Sequence, residues 1–393
     1  MDTVLKLQDI ALNMHLEPAE EVQTMPTVAP CGQVVPRERQ PQKELGIFHA
    51  AAGGRTVPIL KTMLTTACER NCNYCPFRAG RNSYRRTTVK PEEMAKVTMD
   101  MARAGLIRGL FLSSGIIGGG SKTQDRLIQT IELLRHKYGF RGYIHLKIMP
   151  GAEQAQVERA AQLADRLSIN LEAPNDKRLH LLAPMKQFGE ELVRPLQWVQ
   201  HLRTSQNPDQ TWNGKWPSTV TQFVVGAVGE SDVEILSTSE HLYHHERLTR
   251  TYFSAFSPIA DTPLENVAAA SPLREHRLYQ ASFLFRDYGF TLEEMPFNNE
   301  GFLPLDEDPK LAWAKLNLFE SPVELNRASR DELLRVPGIG PKSAATIITA
   351  RRKGTLRDLR DLQQIGVRTG RLENYVTLAG SRPRRLIQTS FNI

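Results

Sequence analysis

Between residues 56 and 290 the sequence alternates short apolar runs with longer amphipathic ones, and this alternation restricts the fold more than any other feature of the chain. Period-two patterning predicts strands over residues 59–66, 109–114, 143–149, 167–172, 219–226 and 248–257. Helical periodicity predicts helices over 90–105, 121–138, a stretch ending at 164, 195–203, a stretch starting near 231, and 272–288. Pro91 suits the first turn of the first of these. Strands that alternate with helices pair in parallel, because each helix is the crossover that carries the chain back. The expectation is an α/β fold of six βα units with helices on the outside.

Two strands carry polar residues where a solid core would not. Ser168, Asn170 and Glu172 share one face of their strand, and His145 and Lys147 oppose Ile144, Leu146 and Ile148 in theirs. Strand side chains alternate between faces. The apolar set can therefore meet the helices while the polar set faces a lumen. A purely structural barrel fills that lumen with branched apolar residues, so polar lumen positions point to a binding cavity; a solvated sheet edge is the alternative.

Three of the four cysteines, Cys68, Cys72 and Cys75, lie within eight residues, in a C-x3-C-x2-C run. The loop is too short for a disulfide framework, and the odd count leaves one thiol over. It suits three thiolates on separate irons of a 4Fe–4S cluster, leaving the fourth iron open. The alternative is zinc held with a histidine. That would need a second ligand pair, and the next histidine downstream is His136, in a predicted helix. No cysteine follows Cys75, so an auxiliary cluster held by cysteines, or a C-terminal cysteine acting as methyl carrier or hydrogen donor, is disfavoured.

The motif, together with the βα pattern, resembles the radical S-adenosylmethionine (radical SAM) superfamily. The resemblance implies a partial (β/α)6 TIM-like barrel of radical SAM type with chemistry at the C-terminal ends of the strands. It also implies two cofactors, a 4Fe–4S cluster and S-adenosylmethionine. By the same resemblance Tyr74 would meet the adenine, the segment Ser113, Ser114, Gly115 the methionine amino group, and Asn170 and Glu172 the ribose. Gly226 would lie in a glycine-punctuated strand beside the adenine, and residues 252–264 resemble a closing strand and loop. Gly118, Gly119 and Gly120 precede Ser121, a candidate helix cap. Their amides can hold an anion or serve as a hinge. Glu230 reads equally as a helix-terminal acid or a ligand.

The last 73 residues hold the whole basic excess: 14 Lys/Arg against 6 Asp/Glu, a net +8, while the rest sums to −1. Residues 328–345 resemble a helix–hairpin–helix motif. Ser329 and Glu332 form a capping box, and Gly338 and Gly340 permit a tight turn. A second helix starting near Pro341 would offer its amides, with Lys342 and Ser343, to a backbone phosphate. Residues 355–367 resemble a degenerate second copy. Arg351, Arg352, Lys353 and the tail residues Arg382, Arg384 and Arg385 add charge. Phosphate contacts of this kind bind DNA with little sequence preference and strong salt dependence. A protein-docking hairpin pair is the alternative.

The expected organisation is an N-terminal arm (1–55, containing Cys31), the barrel (56–290), a linker (291–320), a small all-α helix–hairpin–helix domain (321–380) and a basic tail (381–393). No apolar run has membrane-spanning length and no signal-peptide pattern is present, which suits a reducing cytoplasm. Both halves in this order resemble the family of DNA modification/repair radical SAM proteins that end in a helix–hairpin–helix. That resemblance implies hydrogen-atom abstraction by a 5′-deoxyadenosyl radical acting on DNA, a reducing electron donor, and a uracil-DNA-glycosylase-like partner. The same chemistry on RNA, and a non-catalytic iron–sulfur DNA-binding scaffold or redox sensor, are the alternatives.

Overall fold

A computed structural model describes residues 2–12, 46–52, 55–81 and 85–383. Cys31, most of the N-terminal arm, Arg384 and Arg385 lie outside the described residues. The chain divides into two compact units, Met1–His276 and Arg277–Ile393.

The first unit is built on one seven-stranded sheet whose strands run in chain order: β1 (Ile47–Ala52), β2 (Arg55–Met63), β3 (Gly109–Ser113), β4 (Tyr143–Lys147), β5 (Arg166–Ser168), β6 (Ser218–Val225) and β7 (Arg250–Ala255). Strands β2 to β7 are the six expected strands, and each pairs in parallel with the next. β1 was not anticipated. It pairs antiparallel with β2, from Ile47 opposite Leu60 to Ala52 opposite Arg55. The sheet curls into a half-barrel with its helices as crossovers, the partial TIM-like barrel expected.

Helices make the crossovers: α2 (Pro91–Arg103), after the N-terminal α1 (Thr3–Ala11), then α3 (Gly120–Glu132), α4 (Gln154–Leu163), α5 (Asp176–Leu182), α6 (Arg194–Ser205), α7 (Asp232–His245) and α8 (Pro272–Tyr288). Local signals set their ends. Pro91 sits in the first turn of α2, and Ser231 with Glu234 forms a capping box for α7. α2 turns Met94, Ala95, Thr98 and Met101 inward, the spacing of one helical face. The outer face of the sheet is apolar, with Leu60, Leu110 and Ile144 aligned on β2–β4 and all fully buried. α3 runs on into a π-helical turn, Leu133–Lys137, so the predicted helix 121–138 is one α-helix with a widened last turn.

The second unit contains α9 (Pro309–Asn317), β8 (Val323–Glu324), α10 (Arg330–Arg335), α11 (Pro341–Arg351), α12 (Leu359–Gln364) and β9 (Val376–Thr377), with β8 and β9 paired in parallel. Its core is continuous from Ala314 and Leu318 through Leu333, Ile339 and Ile347 to Leu362, Leu372 and Val376. Within the stretch 291–320, expected as a linker, α9 gives Ala314 to that core, with Leu311 and Trp313 packed against it. The division between the units falls inside α8 rather than near residue 290.

Candidate functional site

A cavity of about 300 Å3 opens at the C-terminal ends of the strands of the first unit, at the small end of the range for ligand pockets. All three clustered cysteines line it. Their loop leaves β2 and is held by contacts that do not involve the thiols. The Glu69 carboxylate accepts the amides of Gly118 and Gly119, both at 2.9 Å. Of the two readings for these glycines, anion holder or hinge, the amides of Gly118 and Gly119 do hold an anionic group, one from the cysteine loop itself. Arg86 donates to four carbonyls of the same loop region, those of Thr66, Phe77, Arg78 and Arg81, at 2.8 to 3.1 Å. The Asn73 amide donates to the Leu182 carbonyl at the end of α5.

Gly115 explains itself in the same place. A Cβ there would lie 2.2 Å from the Ala67 carbonyl oxygen and 3.2 Å from the Cys68 Cβ. Only a glycine lets the end of β3 pass this close to the cysteine loop. Backbone amides point at two of the sulfurs, Ile116 N–H at Cys68 Sγ and Phe77 N–H at Cys75 Sγ, each at 3.4 Å. Among the described residues no three His, Cys, Asp or Glu side chains converge on a point that would hold a single ion. Thiolates spread around a shared volume can instead each take a separate iron of a cubane, and amide donors to sulfur are among the features that tune such clusters. The residues present fit the cluster.

Burial raises the Cys72 thiol above its ordinary range, with the Lys186 ammonium opposing that shift, and burial likewise raises Cys75. Ligation needs thiolates, so a nearby cation favours it. Lys186 and Glu172 form an ion pair at 2.9 Å with side-chain exposures of 9% and 5%. Burial alone would lower the Lys186 ammonium, but the Glu172 and Cys72 charges outweigh it and raise the group. The second carboxylate oxygen, Glu172 Oε2, is buried with no hydrogen-bond partner among the described residues. Glu172 also adopts φ +66°, rare for a residue with a side chain. A cavity-lining carboxylate with one oxygen fixed and the other unpartnered can accept hydroxyl donors. Tyr74 lies beside it, its phenol raised by burial and by the Glu172 charge.

Most of the expected site residues meet here. Tyr74, Ser113, Ser114, Gly115, Asn170 and Glu172 line the cavity with the cysteines, as does Lys147 of the predicted lumen face. His145 is fully buried against the edge of Phe111, ring centroids 4.6 Å apart. Gly226 is not a lining residue. It adopts φ +90° where a Cβ would lie 2.5 Å from that of Ala270, and its amide donates to Glu230. Glu230 also accepts the Val228 amide, so it organises a turn. Sequence reasoning missed Lys186, Arg70 and Gln222, which also line the cavity. Arg70 is held by Glu191 at 2.7 Å. Gln222 left one usable signal, a lone amide between Val220 and Val224 on one face of an apolar strand.

In the second unit the Ser329–Glu332 capping box forms as expected, with bonds of 2.7 and 3.2 Å. Gly338 takes φ +85° and Gly340 is the N-cap of α11. The first turn of α11 presents the amides of Lys342 and Ser343, which have no intrahelical acceptor. Lys342 is exposed there, and the hairpin carbonyl of Ile339 is tied by Lys310 Nζ at 2.6 Å. Arg351 is differently employed: its guanidinium donates to the carbonyls of Leu325 and Ala328, at the far end of α11. Arg352 and Lys353 are exposed at that end. The second copy is more reduced than the sequence suggests. α12 and a turn at Gly366, φ +81°, are present, but only a single 3-10 turn, Glu373–Tyr375, stands where a second helix would follow.

Residues 62–242 match the radical SAM superfamily, and residues 319–367 match the helix–hairpin–helix motif. No curated protein sequence matches the chain. Similar solved structures include methylornithine synthase (PylB), 16% identical over 59% of this chain and 63% of that one, TM-score 0.46. The FeFe-hydrogenase maturase HydG from Carboxydothermus hydrogenoformans is 14% identical over 84% and 62%, TM-score 0.42. A radical SAM methyltransferase from Sphaerobacter thermophilus is 16% identical over 60% and 65%, TM-score 0.43. The chain spans less than two thirds of the length of each. The two matches fall in the order barrel, then hairpin. The cofactors of that superfamily are a 4Fe–4S cluster and S-adenosylmethionine.

Proposed function

We propose that this chain is a radical SAM enzyme that modifies or repairs DNA, with the helix–hairpin–helix holding the nucleic acid. The observation that carries the reading is the pairing, in one chain, of a cysteine-lined cavity with a glycine hairpin that opens a helix inside a strongly basic segment. Bound at the cavity, the cluster and S-adenosylmethionine would supply a 5′-deoxyadenosyl radical able to abstract a hydrogen atom. Cys68, Cys72 and Cys75 hold the cluster. Glu172 Oε2 and Asn170 accept and donate to the ribose hydroxyls, and Lys186, 2.9 Å from the Glu172 carboxylate, orients it. Ser113 and Ser114 meet the polar end of the cofactor, and Tyr74 covers its base. In the second unit Gly338 and Gly340 bring backbone close to a phosphate, the amides of Lys342 and Ser343 bind it, and Lys342 adds a point charge. Arg352 and Lys353 add weaker contacts. The reading needs an external one-electron donor.

The test is anaerobic reconstitution with iron and sulfide, then incubation with dithionite, S-adenosylmethionine and duplex DNA, duplex RNA or single strands. 5′-Deoxyadenosine should form, with DNA stimulating it most, and mass spectrometry of the digested DNA should show an altered nucleoside. Stimulation by RNA alone would move the substrate to RNA. No 5′-deoxyadenosine under any condition would defeat the enzyme reading.

A further inference from the structure

The segment that follows α5 runs beside the cysteine loop and is stitched to it at several points. The Asn73 amide donates to the Leu182 carbonyl at 2.8 Å, and the Asn73 side chain donates to the Leu181 carbonyl at 2.9 Å. Arg70 donates to the Met185 carbonyl and pairs with Glu191 at 2.7 Å. Glu191 in turn accepts the Gln187 amide at 2.9 Å. Arg70 and Asn73 lie on either side of Cys72, and Met185 and Gln187 on either side of Lys186. The chain around Lys186 is therefore fixed against the chain around Cys72. None of these bonds uses a thiol or the Lys186 ammonium.

Lys186 lines the same cavity as the three cysteines, and its side chain is 9% exposed. Of its three N–H donors, one goes to Glu172 at 2.9 Å, and the other two have no acceptor among the described residues. The remaining charged linings are Arg70, Lys147 and Glu172, and Arg70 is opposed by Glu191. Burial raises the thiols of Cys72 and Cys75, and the Lys186 charge opposes that rise at both; at Cys72 it acts more strongly than the Glu172 charge. Net charge and hydrogen bonds to the sulfurs are two of the levers by which a protein sets the potential of an iron–sulfur cluster. Reduction adds one negative charge, and a cation held nearby in surroundings of low dielectric favours it.

We infer that Lys186 sets the reduction potential of the cluster, holding it above the value that the three thiolates alone would give. This needs the cluster and not the nucleic-acid reading. The experiment is an anaerobic redox titration of full-length, cluster-loaded protein, without S-adenosylmethionine and without nucleic acid. Dithionite is oxidised as the cluster takes up one electron, and electron paramagnetic resonance reads the reduced fraction.

Lys186→Met should shift the equilibrium toward the oxidised cluster about tenfold, a midpoint about 59 mV lower for a one-electron couple. Lys186→Arg keeps the charge, and its equilibrium should stay within about twofold of wild type. Lys186→Met/Glu172→Gln removes both charges and should still titrate below wild type, because the ammonium acts on the sulfurs more strongly than the carboxylate does. It carries the test should Lys186→Met fail to load iron. An unchanged midpoint in Lys186→Met would overturn the inference. So would a Lys186→Arg midpoint as low as that of Lys186→Met, which would make side-chain shape the cause. A double variant back at the wild-type midpoint would overturn it too, since the stranded carboxylate would then account for the fall. Protein that takes up no cluster would overturn it together with the cluster reading.

Discussion

Gly115→Ala tests how the cysteine loop is held. In the structure the added methyl would sit 2.2 Å from the Ala67 carbonyl oxygen and 2.9 Å from its carbonyl carbon. These are backbone atoms, so no rotamer change relieves the clash. Cβ contacts below 3.0 Å essentially do not occur, so the oxygen must retreat by about 0.8 Å or β3 must shift by as much. Cys68 follows Ala67 directly and moves with it, and the Ile116 amide that points at its sulfur is on the opposing segment. Overpacking of this kind costs about 1–3 kcal/mol. For a unit of this size that corresponds to a fall in Tm of about 2–4 °C per kcal/mol. The larger effect should be on metal loading, because one ligand is displaced relative to the other two. The assay is iron and sulfide content after anaerobic reconstitution, beside thermal unfolding of the same sample. Gly189→Ala is the control, since a Cβ there meets nothing within 4 Å. Gly115→Ala protein that loads iron like the control and melts with it would refute the close-packing account of this glycine.

Three further outcomes follow from the same structure. Lys186→Met should destabilise the first unit by about 3–5 kcal/mol, because it strands the buried Glu172 carboxylate, and Lys186→Met/Glu172→Gln should recover most of the loss; urea midpoints read both. Burial pushes the Lys310 ammonium down to about 7, with Arg335 nearby also disfavouring the charge. Between pH 7 and about pH 10 the unfolded chain therefore binds the extra proton, so stability of the second unit should rise with pH across that window and level off below pH 7. The Asp308 carboxylate opposes that shift, and the Ile339 carbonyl and the Tyr288 ring, 4.6 Å away, also favour the ammonium and so narrow the window; Lys310→Met should abolish the rise in pH-dependent denaturation. Lys342→Ala should weaken duplex binding and lower the slope of log K against log salt by about 0.9, with little dependence on sequence; an unchanged slope would remove Lys342 from the phosphate contacts.

Much of the barrel was legible because period two and period 3.6 alternate cleanly, and β2 to β7 fall where that pattern puts them. β1 was not, because Ile47–Ala52 is short and half alanine, and its place is set by pairing with β2 rather than by its own propensity. α5 has seven residues, and the next turn, Phe188–Val193, is π-helical, so neither offers a full helical period to read. That stretch supplies Lys186, whose importance comes from meeting Glu172 across the cavity, a contact no local pattern encodes. The cysteines and Glu172 were readable from spacing and alternation. The reason for Gly115, and the absence of a lining role for Gly226, depend on how close other chain segments approach. Arg351 read as one of the charges that meet nucleic acid, yet its guanidinium donates to the carbonyls of Leu325 and Ala328 at the end of α11.

The cysteine loop differs from a small metal-organised motif in where its order comes from. A zinc finger lacks a fold until the metal arrives, and its binding energy is its folding energy. Here the loop is fixed by the Glu69 carboxylate on two amides, by Arg86 on four carbonyls and by the glycine contact at residue 115. None of these uses a thiol. Each hydrogen bond to a charged group is worth about 1.5–3 kcal/mol, so the clamps together outweigh the entropy of a few loop residues at about 1–2 kcal/mol each. The metal-free protein should then keep the loop in place, with three thiols presented to a cavity whose walls are already formed. Loading a cluster changes the charge in that cavity without having to build it, and this is why Lys186, a fixed cation paired with Glu172, can sit beside the thiols before any iron is bound.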